Sequence, residues 1–82
     1  MKVPLYERVA LLNDLPAQGL RRGDVAVVVD YVPHPQEGEE GCVLEVFNAL
    51  GNSIAVVVVP VSDVESLNAD EVFTVRPLAK AG

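Results

Sequence analysis

The chain has 82 residues, half of them apolar, and a net charge of −6. A chain of this length forms one domain of marginal stability, and its single cysteine and single histidine exclude an internal disulfide and a paired metal-ligand motif. The acidic balance disfavours binding to nucleic-acid phosphates and to anionic membranes. No cofactor or small-molecule substrate is expected. A protein partner, or a second copy of the chain, remains as a source of added stability.

The first strand is predicted over Val9–Leu12, where four apolar residues follow one another. The turn-forming sequence NDLP ends this strand, because Asn, Asp and Pro all favour turns. In the loop that follows, Gly19 and Gly23 permit positive φ angles. Arg21 and Arg22 occupy the tip of this loop.

The second strand is predicted over Asp24–Val32, a run rich in valine with a tyrosine near its end. Successive side chains of a strand point to opposite faces. Because Asp30 lies on one face, the other face is predicted to enter the core. The residues of that predicted core face are Val25, Val27, Val29 and Tyr31.

The third and fourth strands are predicted over Cys42–Phe47 and Ile54–Val59, after an acidic loop at residues 36–41. The sequence NALGN between them predicts a hairpin turn. Pro60 ends the fourth strand because it has no N–H to donate. All six residues of the fourth strand are apolar, so both of its faces need cover.

The remaining chain predicts one 3₁₀ turn at Val61–Glu65 and a closing strand at Glu71–Val75. The core is expected to span about residues 5–77, and the tail 78–82 is expected to fray. Short strands, tight turns and a 3₁₀ turn before the last strand indicate an all-β fold. We predict a small SH3-like antiparallel barrel of about five strands, a single domain over residues 1–82.

Three segments occur together in one order: LLNDLP at Leu11–Pro16, GLRRGDV at Gly19–Val25 and GNSIAVV at Gly51–Val57. This combination resembles a family of short bacterial proteins known as domain of unknown function 4926. The terminal DEVFTVR, at Asp70–Arg76, is similar to the ending of many members. The resemblance covers nearly the whole chain, from about Val9 to Arg76.

The resemblance implies an SH3-like fold and no established activity. Members are often encoded beside a second small protein, which implies a protein partner. Three features depart from the family pattern. Ala26 replaces a common glycine, so we expect a less sharply bent strand; Cys42 replaces a common aromatic residue; and the acidic loop is longer than usual.

Few residues suit catalysis. Asp14 and Asp24 flank the Pro-Gly loop and would suit acid–base chemistry. The stronger interpretation is that their carboxylates accept hydrogen bonds from backbone N–H groups in turns. Cys42 lacks the base that a nucleophile requires, so we predict a core residue. His34 is expected to be exposed, and the glutamates of the acidic loop lack the spacing of a calcium loop. We predict that the protein is not an enzyme.

The fourth strand predicts an interface, because whichever of its faces enters the core, the other leaves apolar side chains exposed. Which face that is stays open at this point. The alternative is that the residues after Pro77 fold back and cover the face. The predicted partner-binding residues are the loop-tip arginines and residues of the third and fourth strands: Arg21, Arg22, Val43, Phe47, Val56, Val57 and Val58.

These observations predict a non-catalytic protein-interaction module that binds a protein encoded nearby, as an antitoxin-like or immunity-like neutraliser. One alternative is a homo-oligomeric accessory or structural subunit of a larger complex, and another is a nucleic-acid-binding SH3-like barrel. The sequence MKVPLYER has no apolar signal region, and no apolar run approaches the length of about 20 residues that a membrane helix needs. We therefore expect a cytoplasmic location.

Overall fold

The computed structural model describes residues 2–34, 36 and 38–78 of the chain. No helix in these residues is both long and apolar enough to span a membrane. The elements in this part are five strands and two 3₁₀ turns. In chain order they are β1 (Arg8–Leu11), a first 3₁₀ turn (Pro16–Gln18), β2 (Val25–Val32), β3 (Gly41–Phe47), β4 (Ser53–Pro60), a second 3₁₀ turn (Val61–Asp63) and β5 (Val64–Ser66).

The five strands form one antiparallel sheet in the order β4-β3-β2-β1-β5. Strands β1 to β4 form a meander, and β5 returns to pair with β1. The predicted all-β fold with five antiparallel strands is confirmed. The sheet is not closed into a barrel, because β4 and β5 lie at opposite ends of the strand order in the described part of the chain.

The core is a single apolar cluster on the inner face of this sheet. Its members come from β1 to β4 and from the loop before β2. They are Val9, Leu11, Leu20, Ala26, Val28, Cys42, Leu44, Val46, Val57 and Val59. Val9, Val28, Cys42 and Leu44 are fully buried. The burial of Cys42 agrees with the prediction that it packs in the core.

The predicted core face of β2 is wrong over the first half of that strand, where Ala26 and Val28 are buried instead. A β-bulge explains the difference. Val28 pairs with Leu44, but the next pair joins Asp30 to Val43, so one residue of β2 has no partner. The extra residue reverses the alternation. Asp30 therefore lies on the outer face, opposite Val43, although Val28 points inward.

The closing strand predicted at Glu71–Val75 is also wrong. The fifth strand is β5, which begins immediately after the second 3₁₀ turn and pairs with β1 through Leu11 and Val64. The second 3₁₀ turn is shorter than predicted, so β5 begins at Val64. Because β5 occupies the free side of β1, a later segment has no strand to pair with there. The residues at 71–75 form no strand and are exposed. The tail predicted to fray is residues 78–82, of which 79–82 lie outside the described part.

The loop between β1 and β2 contains a 3₁₀ turn that the sequence analysis did not predict. Pro16 is its first residue, where a fixed φ and a missing N–H carry no penalty. Gly19 ends it with a φ of 71°, a left-handed conformation that favours glycine. The predicted hairpin at NALGN is present, with Asn48 N–H donating to the Asn52 carbonyl at 2.8 Å.

The face of β4 that the sequence left open is settled by its register with β3. Leu44 pairs with Val57 and Val43 pairs with Val58. Because paired residues share a face, Val57 lies inside with Leu44 and is only 7% exposed. Val58 lies outside and is 59% exposed.

This register predicts opposite effects for one substitution at two adjacent positions. Val57→Asp places a charge in the core, at a cost of several kcal/mol that a domain of this size does not withstand. Val58→Asp places the same charge in solvent and is expected to cost about 1 kcal/mol or less. Urea denaturation followed by circular dichroism measures both. Equal loss of stability in the two variants would contradict the register.

Candidate functional site

Strands β2, β3 and β4 expose apolar side chains on the outer face of the sheet. Val56 and Val58 are 62% and 59% exposed, and Phe47 at the end of β3 is 40% exposed. We call this surface the outer apolar patch. Its members are Val32, Val43, Phe47, Ile54, Val56 and Val58, of which Val43 is half-buried. Soluble proteins use contiguous surfaces of this kind mainly as interfaces.

The patch is continuous across the strands. Val43 and Val58 are direct cross-strand neighbours. Gly41 completes the surface because its missing side chain makes room for two neighbours. A Cβ atom at this position would lie 2.9 Å from Val32 Cγ2 and 3.0 Å from Val58 Cγ1. A methyl group of Val32 and one of Val58 therefore both lie over the Gly41 backbone.

A shallow groove lies at the edge of the patch where β2 ends, β3 begins and β4 ends. It has a volume of about 260 Å³, and Val32, Val58 and Pro60 contribute to its wall. His34 and Glu39 also line it. The groove is suited to an apolar side chain from a binding partner more than to a buried small molecule, since ligand pockets usually have volumes of about 300–1,000 Å³ and enclose their ligands.

Acidic side chains lie at the border of the patch and inside it. Asp30 lies opposite Val43 at the β2 border, and Glu39 lines the groove. Glu45 lies on β3 between Val43 and Phe47, opposite Val56. Asp30 and Glu39 give the patch a negative rim and Glu45 adds a negative charge within it, so a partner that combines apolar and basic side chains is complementary to this surface.

The structure brings together four of the seven predicted partner-binding residues: Val43, Phe47, Val56 and Val58. Val57 lies in the core, and the two arginines lie on the exposed loop that leads into β2, outside the strands of the patch. Val32 and Ile54 are patch residues that the sequence analysis missed. The alternation of faces is consistent with their positions, since Val32 shares the face of Asp30 and Ile54 shares the face of Val56 and Val58, but the prediction did not include them.

The two carboxylates considered for catalysis hold turns together. Asp14 Oδ1 accepts the Arg22 N–H at 2.8 Å. Asp24 Oδ2 accepts the Arg21 N–H at 2.8 Å. Both contacts agree with the prediction that these side chains accept backbone hydrogen bonds in turns.

Asp24 has a second partner that the sequence analysis missed. Arg76 Nε donates to Asp24 Oδ1 at 3.1 Å, and its Nη2 donates to Asp24 Oδ2. The Nη2 group also donates to the Gly19 carbonyl at 3.4 Å. The hydrogen bond to Asp24 raises the pKa of Arg76 further above its usual range. This bidentate ion pair fixes the C-terminal segment, residues 67–78, against the β1–β2 loop.

A second contact holds the same segment. The guanidinium carbon of Arg8 lies 5.7 Å from the centre of the Phe73 ring, a cation–π distance. Phe73 and its neighbours Val72 and Val75 are nonetheless strongly exposed. The segment therefore attaches at two points and leaves the outer apolar patch open. The alternative that residues after Pro77 cover the patch concerns mostly residues 79–82, outside the described part of the chain.

The buried thiol is not arranged as a nucleophile. Burial raises the pKa of Cys42, and the nearby Glu40 carboxylate raises it further. The thiol is therefore protonated at neutral pH, and thiols react mainly as thiolates. Its neighbour Tyr31 donates its hydroxyl to the Val3 carbonyl. His34, the predicted loop histidine, is exposed and accepts the Gln36 N–H at 3.1 Å.

The fold and this surface define a class of small all-β protein: an open five-stranded antiparallel sheet with one packed face and one partly bare face. The family model described as Domain of unknown function (DUF4926) matches residues 5–74. The chain belongs to this family, as its sequence motifs predicted. No curated protein and no solved structure matches the chain.

The ion pair between Arg76 and Asp24 predicts how the C-terminal segment is released. Arg76→Gln removes the positive charge and the bidentate ion pair with Asp24, so residues 67–78 should detach while the sheet stays folded. We expect chymotrypsin to cleave this segment at Phe73 several-fold faster. Chymotrypsin is used because the substitution does not change its cleavage sites. Arg22→Gln is the control, because only its backbone N–H contacts Asp14. Equal cleavage rates in the Arg76 variant and the wild type would contradict this role.

Proposed function

We propose that this chain is a non-catalytic protein-interaction module that binds a protein partner through the outer apolar patch. The observation that carries the proposal is the exposure of Val56 and Val58, each more than half open on a sheet face beside other apolar residues. Covering the exposed area of the six patch residues would contribute roughly 4 kcal/mol, at about 1.5–2 kcal/mol for each fully buried side chain. This free energy is comparable to a substantial part of the total folding stability of a small domain.

Apolar burial alone is too weak for a specific complex. A dissociation constant of about 1 μM corresponds to roughly 8 kcal/mol, after the entropy of association has been overcome. The acidic rim would supply attraction to a basic partner and raise the association rate. We therefore propose a partner with an apolar centre and a basic periphery.

The most specific form of the proposal is a neutraliser of a basic protein encoded nearby, similar in principle to an antitoxin or an immunity protein, in the cytoplasm of a bacterium. An acidic surface with an apolar centre suits a role of blocking a basic protein surface. The backbone contacts of Asp14 and Asp24 and the raised pKa of Cys42 support a non-catalytic role. The negative charge at the patch opposes the alternative of nucleic-acid binding, since phosphates would meet the carboxylates of Asp30 and Glu45.

The experiment uses the purified protein and the purified product of the neighbouring gene. We expect them to form a complex whose affinity falls as NaCl rises from 50 to 500 mM, because salt screens opposite charges. Val56→Asp should weaken the complex at least tenfold, measured by calorimetry. Val72→Asp, on an exposed valine outside the patch, should leave it unchanged. The absence of a complex, or equal affinity for both variants, would contradict the proposal.

A further inference from the structure

Strand β4 ends the sheet, so one row of its backbone groups has no partner strand in the described part of the chain. The bonding pattern shows which row this is. Val61 N–H donates to the Glu40 carbonyl at 3.0 Å, and hydrogen-bonded pairs alternate along an antiparallel ladder. The register then pairs the backbones of Val57 and Val59 with β3. The N–H and C=O groups of Val56 and Val58 point away from the sheet.

The other side of the sheet gives the same result independently. Val28 exchanges hydrogen bonds with the segment before β1, through Glu7 and Tyr6. Val27 therefore bonds to its partner Glu45 on β3. Because adjacent residues bond to opposite sides, Leu44 bonds to β4 through Val57. The hydrogen bonds at both ends of the sheet therefore show that the N–H and C=O groups of Val56 and Val58 have no partner strand in the described part of the chain.

The middle of this free edge lacks the usual protection against pairing. Natural edge strands carry charges, prolines or bulges that block the addition of another strand. Residues 53–60 carry no charge in a chain whose net charge is −6. The bulge at Ile54 and the proline at position 60 mark the two ends of this strand. Between them lies an apolar segment, Ala55–Val59, in which four of the five residues are valines.

We propose that β4 pairs antiparallel with β4 of a second copy of this chain about a twofold axis at Val57. In this register Val56 exchanges hydrogen bonds with Val58 of the second copy, and Val58 with Val56. Both free residues of each edge find partners, and Pro60 is not required to donate. Each pair places an exposed valine opposite an exposed valine, a favourable cross-strand contact.

The absence of charge on β4 permits a second copy to bind at this edge. Like charges repel two acidic chains over most of their surfaces, but the uncharged β4 edge is free of this repulsion. The nearest acidic residue on the outer face is Glu45, on β3. The two Glu45 side chains would lie three strand spacings apart, about 15 Å. At physiological salt, where the Debye length is about 8 Å, their repulsion is largely screened.

The pairing goes beyond the proposed function and does not depend on it. Paired residues share a face, so the outer apolar patches of the two copies would lie side by side on one continuous sheet. The contact involves fewer residues than the 20–30 on each side of a standard interface. We therefore expect a dissociation constant in the range of roughly 1–100 μM. Added salt should leave the dimer unchanged or strengthen it, in contrast to a complex with a basic partner.

The test compares two substitutions at Val58. Val58→Pro removes the N–H that would donate to the Val56 carbonyl of the second copy. The hydrogen bonds to β3 stay intact because the Val58 N–H points away from β3. Edge strands tolerate a proline at such a position. Val58→Thr keeps the N–H and the β-branched shape but makes the side chain polar. Sedimentation velocity at 5–500 μM measures association. We expect the threonine variant to dimerise within about threefold of the wild type, and the proline variant to weaken at least tenfold.

Two results would overturn the proposal: a folded proline variant that dimerises as tightly as the wild type, or a wild type that is monomeric at 500 μM. If the proline variant does not fold, amide exchange in the wild type decides. The amides of Val56 and Val58 should become protected at high protein concentration, while the Val57 amide is protected at all concentrations. Concentration-independent exchange of Val56 and Val58 would also overturn the proposal. Partner binding is measured separately with Val56→Asp, so failure of one proposal leaves the other intact.

Discussion

The ladder between β3 and β4 determines both the core and the proposed binding surface. Its register places Val57 and Val59 inside with Leu44 and Cys42, and it places Val56 and Val58 outside. One set of hydrogen bonds therefore decides which valines stabilise the monomer and which remain available to a partner. A shift of the register by one residue would exchange the two sets. The function proposed for this chain depends on the same pairing that folds it.

The open sheet explains why such a surface persists. A closed barrel would pair every strand edge, but here β4 is left at one end of the sheet and β5 at the other. The described residues cover the inner face of the sheet and leave valines of the outer face exposed. Its C-terminal segment contacts the β1–β2 loop through Arg76 and Asp24 rather than crossing the patch. The exposed valines and the free backbone edge follow from this arrangement, and both proposed contacts with other protein chains rest on them.

Sequence reasoning predicted much of this fold because the dominant signals are local. The hairpin at NALGN and the strands beside it follow from turn chemistry and β-branched runs. The bulge in β2 was missed because a single extra residue reverses the alternation without changing composition. Strand β5 was missed because three residues give no periodic pattern. The Arg76–Asp24 pair joins residues 52 positions apart, and a single sequence gives no physical signal for such a distant contact.

The central claim is that the outer valines are exposed in the isolated chain and become covered on association. Methyl NMR with a soluble paramagnetic agent tests it most directly, because relaxation of each methyl group reports its access to solvent. In dilute protein the account predicts strong relaxation at Val56 and Val58 and little at Val57 and Val59. Association should then protect Val56 and Val58 selectively. Equal relaxation of all four valines, or relaxation that no protein concentration or partner reduces, would contradict the account.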